Sequence, residues 1–268
     1  MKWQKYLQVA KTSWQAGFVY RLSFVMWRVR VVVQFLAIYF LWTAILGNHQ
    51  NAFGYTESQL LTYIIGTSII RTFVFSSRSI DAQGEIASGD LSNYLVKPLN
   101  YFTYWLSRDI SDKLLNILFM IGEIAIFIFV VRPPLFFPSN LIFVLLALIA
   151  TILAIIMYYY FSFLVSMTTF WLPEENGWPQ RFLIFVLLEF LAGGLFPLNI
   201  LPPALYKIAA VLPPAYMLNH PLQIYLGKFN LQQSILTIIV TAIWIIGLRE
   251  FANRVFKRGL KVYGAYGR

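Results

Sequence analysis

The sequence predicts an all-α polytopic membrane protein. It expects six transmembrane helices, an N-terminal interfacial helix, short re-entrant external helices between spans five and six, and both termini in the cytosol. Three observations carry this. The 268 residues are 59% hydrophobic and only 12% charged, against about 25% charged in an ordinary soluble domain, so the chain cannot coat a water-facing surface. Six stretches are apolar enough to enter lipid, where a crossing helix needs roughly 20 residues. Finally, 18 of the 21 Lys and Arg residues fall on one side of those stretches, the bias that holds cations in the cytosol. Residues 1–268 read as one membrane domain.

The first element is amphipathic. Trp3, Leu7, Ala10, Trp14, Gly17 and Phe18 recur at helical spacing, opposite Lys2, Lys5, Gln8, Lys11, Thr12 and Gln15. A basic helix of this kind lies in the cytosolic interface, or packs on the cytosolic ends of the spans. The first apolar run begins too late, and runs too long, for a cleavable signal peptide. The spans then follow: Val29–Leu46, Leu60–Phe75, Ile110–Val131, Leu141–Met167, Phe182–Phe196 and Leu231–Leu248. Spans two, five and six are short, and span four is long.

The cations set the orientation. Arg28 and Arg30 stand with the N-terminal cations, and Arg71, Arg78, Lys97, Arg108 and Lys113 belong to the connection between spans two and three. Arg181 precedes span five, and Arg249 through Arg268 form a basic tail over residues 249–268. Only Arg132, Lys207 and Lys228 are left for the other side. The weakest assignment is the connection between spans four and five, where Glu174 and Glu175 accompany a single Arg.

Two connections carry structure of their own. Residues 76–107 are the longest polar stretch. Gly84 and Gly89 punctuate it, and Ser88 or Asp90 could cap a short helix ending before Pro98. It reads either as a helix held below the membrane that transmits force from a soluble partner, or as a solvated linker. Outside, Gly193 and Gly194 lead into residues 197–230, where Pro197, Pro202 and Pro203 precede an apolar run that Pro213 and Pro214 follow. Paired prolines end helices. The run Ala204–Val211 is too short to span, so it reads as a short helix lying in, or dipping back into, the outer leaflet, where irregular backbone must be buried in protein or line a wet cavity.

Glu123 and Glu189 are the costly residues within the spans, at roughly 2.5–3.5 kcal/mol each for a central carboxylate. With Gln34 they are candidates for a translocation path. The plainer alternative is that each joins two spans by hydrogen bonds, near Gln34, Tyr158 or Ser162. Tyr158, Tyr159 and Tyr160 cannot share one helical face and read as packing. The chain has no Cys, and His49 and His220 are isolated, which argues against thiolate, disulfide and His-based metal chemistry. No Gly-x-x-x-x-Gly-Lys-Ser/Thr occurs. The basic residues flank apolar spans, so they fit anionic lipid rather than nucleic acid. An ion-gradient transporter using Glu123 or Glu189 would be expected to show internal repeats, which are not evident. A lipid-acting enzyme would need a convergent catalytic cluster, which is lacking.

Three stretches stand in a set order relative to the spans: GEIASGDLSNYLVKPLN, GGLFPLNILPPALYKIAAVLPPAYMLNHP and GLREFANRVFKRGLKVYGAYG. Together they resemble the ABC-2 family of ATP-binding-cassette exporter permeases over nearly the whole chain. The resemblance implies that residues 1–28 form an elbow helix and that Ile80–Leu91 contains a coupling helix. Asp81, Gly84, Glu85, Ser88, Gly89, Asp90 and Leu91 would then meet a separate ATPase. It implies that spans one, two and five face a second permease, identical or related, and that the Pro-bounded run caps the path between them. ATP and Mg would belong to two nucleotide-binding subunits, leaving no catalytic, cofactor or metal site in this chain. The place would be the cell membrane. One departure from the family pattern is the second cytosolic connection, Phe170–Gln180, which is short and acidic.

Overall fold

The computed structural model describes residues 3–19, 21–47, 51–173 and 178–264. Lys2, His49, Glu174, Glu175 and Arg268 lie outside them. The chain folds into helices α1 (Gln4–Val19), α2 (Arg21–Leu46), α3 (Glu57–Val74), α4 (Ala82–Ser88), α5 (Ser92–Leu95), α6 (Tyr101–Val131) and α7 (Leu141–Met167). After these come α8 (Trp178–Leu191), α9 (Pro203–Val211), α10 (Pro213–Met217), α11 (Asn219–Tyr225) and α12 (Leu231–Val262). A small antiparallel hairpin, Asn51–Ala52 with Tyr55–Thr56, joins α2 to α3.

Helix starts follow side-chain caps. Thr56 with Gln59, and Asn230 with Gln233, close reciprocal capping boxes on α3 and α12. Asn100 and Asn140 cap α6 and α7. Among the described residues, four helices are long and apolar enough to cross a bilayer: Phe24–Leu46, Tyr101–Val131, Leu141–Phe170 and Leu231–Val262. Glu57–Val74 with Arg78–Ser88, bent by 47°, makes a possible fifth. Span five differs from expectation. Its helix starts earlier, at Trp178, and stops at Leu191 rather than Phe196. At 1.5 Å per residue it is about 21 Å long, short of a hydrocarbon core about 30 Å thick.

α7 is the central helix and packs most extensively against α12. Small residues let the two backbones approach: Ala147, Ala150 and Ala154 on α7, and Ser234, Thr237 and Thr241 on α12, are all buried. The α12 hydroxyls bond carbonyls one turn back, leaving no polar group unpaired at that seam. Outward faces stay apolar, as on α6 with Leu114, Leu118, Ile121 and Phe129 exposed. Apolar surface on this scale is a lipid-facing surface.

α1 packs on a span, the second of its two readings. It lies along α6, where the Asn100 amide donates to the Tyr6 hydroxyl (3.0 Å) and the Ser111 hydroxyl donates to the Ala10 carbonyl (2.6 Å). Trp3 and Leu7 remain exposed on another face. The basic tail is a helical continuation of span six through Val262. The paired prolines also act differently from expectation. Pro203 and Pro213 open α9 and α10, because a fixed φ and a missing N–H cost nothing in a first helical turn.

Candidate functional site

The solvated-linker reading of residues 76–107 does not survive the fold. Arg78–Asp81 form a 3₁₀ turn that leads into α4. Ala82, Ile86 and Leu91 are buried in a cluster with Tyr101, Trp105, Phe163, Met167 and Phe170. Gly89 takes φ +85°, and the Leu91 amide returns to the Glu85 carbonyl at 2.9 Å, the glycine-dependent helix stop that a left-handed residue permits. Neither expected cap holds a helix end. The Ser88 hydroxyl donates to Asp90 Oδ2 at 2.7 Å instead, and Ser92 starts the single turn of α5.

Polar ties fix this unit from several sides. The Arg78 amide donates to Asp109 Oδ1 (2.7 Å), and its side chain reaches Asp112 (Nε to Oδ1, 3.0 Å) and Asp81 (3.5 Å). Tyr101 donates to Glu85 Oε2 at 2.7 Å, while Arg108 stands 3.9 Å from Glu85 Oε1 with its guanidinium 4.4 Å above the Trp105 ring. Burial pushes the Glu85 carboxyl above its usual range, and the hydrogen bonds from Tyr101 and Tyr94 and the Arg108 charge offset only part of that. Glu85 and Leu91 therefore face the protein. Asp81, Ser88 and Asp90 face outward, and Gly84 is half-buried.

Both glutamates are paired with arginines rather than with Gln34, Tyr158 or Ser162. Glu123 is gripped through both oxygens by Arg28 of α2, with Nε to Oε1 at 2.8 Å. Glu189 pairs with Arg71 of α3, which also donates to the Gly194 carbonyl at 2.8 Å. Gln34 is exposed on α2. Ser162 instead receives Arg181 Nη2 at 3.1 Å. Arg28, Arg71, Lys113 and Arg181, read above as flanking cations, are thus built into the bundle. Lys113 donates to the Phe73 carbonyl at 2.7 Å and to that of Ser76.

The segment from Gly193 to Gln223 is riveted to α3 near its middle. Gly193 takes φ +76°, and the Tyr63 hydroxyl sits 2.8 Å from its carbonyl and 3.1 Å from Asn219 Oδ1. A Cβ at Gly194 would meet Glu189 Oε1 at 2.6 Å, and one at Gly66 would meet the Leu222 side chain. Tyr55, Asn199 and Gln223 extend the network (Tyr55 hydroxyl to Asn199 Oδ1, 2.7 Å; Gln223 Nε2 to the Tyr55 hydroxyl, 2.7 Å). Pro197 and Pro202 flank the 3₁₀ turn Leu198–Ile200, and Pro214 is buried in α10. So α11 returns to the level of Gly66, midway along α3, with its polar groups satisfied inside protein. Sequence reasoning missed Arg28, Arg71, Tyr63 and Asn219. The available signal was the two arginines themselves, since a carboxylate in an apolar span calls for a cation within reach.

Long apolar helices, charges paired inside them and broken helices returning to mid-depth define a multi-pass membrane protein of the transport class. Residues 32–267 match the family described as ABC-2 family transporter protein. The chain belongs to that family and is a permease of an ABC transporter, a membrane component without an ATPase of its own. The match begins within α2, so α1 lies outside it. No curated protein matches the chain.

Proposed function

We propose that this permease is half of the membrane channel of an exporter. It crosses the cell membrane six times with both ends in the cytosol, pairs with a second permease, identical or related, and is driven by separate cytosolic ABC ATPase subunits that hold ATP and Mg. The observation that carries the reading is α4. It is a short helix buried on one side in a cluster shared by α6, α7 and α12, with Asp81, Ser88 and Asp90 left outward. A helix anchored in this way can hand a push from a soluble subunit to several spans at once. α8 counts as span five, making six crossings in all, because Gly193, Gly194 and the helices after them carry the chain through the outer leaflet.

On this reading α2, α3 and α8 face the partner permease across the path. Glu189 with Arg71 lies on its wall, Glu123 with Arg28 ties α2 to α6, and the segment from Gly193 to Pro214 caps the outer end. ATP closes the ATPase pair, α4 moves, and the permeases rearrange about their seam. Affinity purification of the full chain from its native membrane tests this. Co-recovery of an ABC ATPase with ATP-hydrolysing activity is expected. Recovery of a fully active transporter with no ATPase partner would contradict it.

A further inference from the structure

Arg181 is a buried cation with a peculiar set of partners. It lies in the first turns of α8 and is 8% exposed. No carboxylate among the described residues stands within ion-pair distance of it. Its acceptors are neutral: Gln83 Oε1 on α4 at 3.2 Å, and Ser162 Oγ and Ser166 Oγ on α7 at 3.1 and 3.3 Å. Ser166 in turn donates to the Ser79 carbonyl, in the turn that leads into α4, at 2.9 Å. Burying a guanidinium is costly, and the Asp81 carboxylate attracts this one only from beyond ion-pair distance.

The rest of α8 shows what the arginine adds. Phe182, Leu183, Val186 and Leu187 are exposed. Two polar points hold the helix: Arg181 near its cytosolic end, and Glu189, joined to Arg71, eight residues further on. Among the described residues, the Gln83–Arg181 hydrogen bond is the polar link between α4 and α8. We propose that Arg181 is a positioning residue that makes α8 follow α4, so that a displacement delivered to the cytosolic segment reaches Glu189 and the Gly193–Gly194 turn through α8. The inference rests on the ATPase-driven reading above and names the route inside it.

The chain has no cysteine, so single reporters are unambiguous. Asn93→Cys on α5 and Leu187→Cys on α8, both exposed, are each labelled with an environment-sensitive thiol fluorophore in the purified complex with its ATPase, in lipid. With ATP and vanadate both reporters are expected to shift. In Arg181→Met or Gln83→Leu the Asn93 shift persists and the Leu187 shift is lost, and Arg181→Lys restores part of it. A Leu187 shift that survives Arg181→Met, loss of both shifts in Gln83→Leu, or a Leu187 reporter silent in the parent complex would overturn the inference. An Asn93 reporter that ignores ATP in the parent complex would instead remove the ATPase-driven reading. If Arg181→Met fails to assemble, Gln83→Leu, at a half-buried cytosolic position, carries the same comparison.

Discussion

Glu189 is tolerable in an apolar helix because Arg71 reaches it from α3. Removing one member of a buried pair strands the other, at a cost of about 3–5 kcal/mol, whereas replacing both with apolar residues is often neutral. Glu189→Leu is therefore expected to lower the unfolding temperature in detergent sharply, and the double variant Arg71→Met/Glu189→Leu to recover most of the loss. Equal losses in the two would place the role of the pair elsewhere. Glu85 gives a prediction in pH. Its carboxyl is raised by burial, so the folded state binds the proton more tightly than the unfolded chain. The associated stability is full below the ordinary carboxylate range and is lost as pH rises through the raised value. Glu85→Gln can keep a hydrogen bond to Tyr101 without the charge. Thermal unfolding at a series of pH values should show the parent losing more stability than the variant as pH rises above the ordinary carboxylate range.

Among the elements, the long helices and the short Pro-bounded helix α9 are readable in the sequence, and the ends of span five are not. Span four was expected over Leu141–Met167 and α7 has those bounds, because Asn140 marks its start and the apolar run is uninterrupted. Span five was misplaced because the run continues through Leu195 and Phe196, while Gly193 turns the backbone to φ +76° against Tyr63, a tertiary fact invisible to hydropathy. The arginine partners were missed for a related reason. Cations near span ends were counted as topology signals, and composition does not say which of them turn inward. Two glycines test these turns. Gly193→Ala places a Cβ 2.6 Å from the Tyr63 hydroxyl at a left-handed residue, so a loss of at least about 1–3 kcal/mol is expected. It is checked by unfolding of the detergent-solubilised chain. Gly89→Pro cannot adopt the φ of +85° that ends α4. It is expected to separate ATP hydrolysis from transport while leaving membrane insertion intact, and normal coupling in that variant would show that this turn carries no force.

In the whole molecule, one helical bundle links two differently built ends. At one end an aromatic cluster binds α4, α6, α7 and the end of α12: Phe256 stacks on Tyr101 at 5.6 Å, Phe170 lies against Phe256 and Tyr263, and the Ser92 amide donates to the Tyr263 hydroxyl at 3.3 Å. At the other end the α9–α11 segment plugs the outer half of the bundle against α3. α8, too short to cross alone, runs between the two. On the proposed function, α4 lies on the side where a soluble, ATP-using subunit can reach it. Ser88, exposed at the end of α4, offers the most direct measurement. In intact cells and in inverted vesicles, Ser88→Cys in this cysteine-free chain is treated with a membrane-impermeant maleimide. Modification in inverted vesicles, with protection in intact cells, is the predicted result. Modification from outside intact cells would contradict the account.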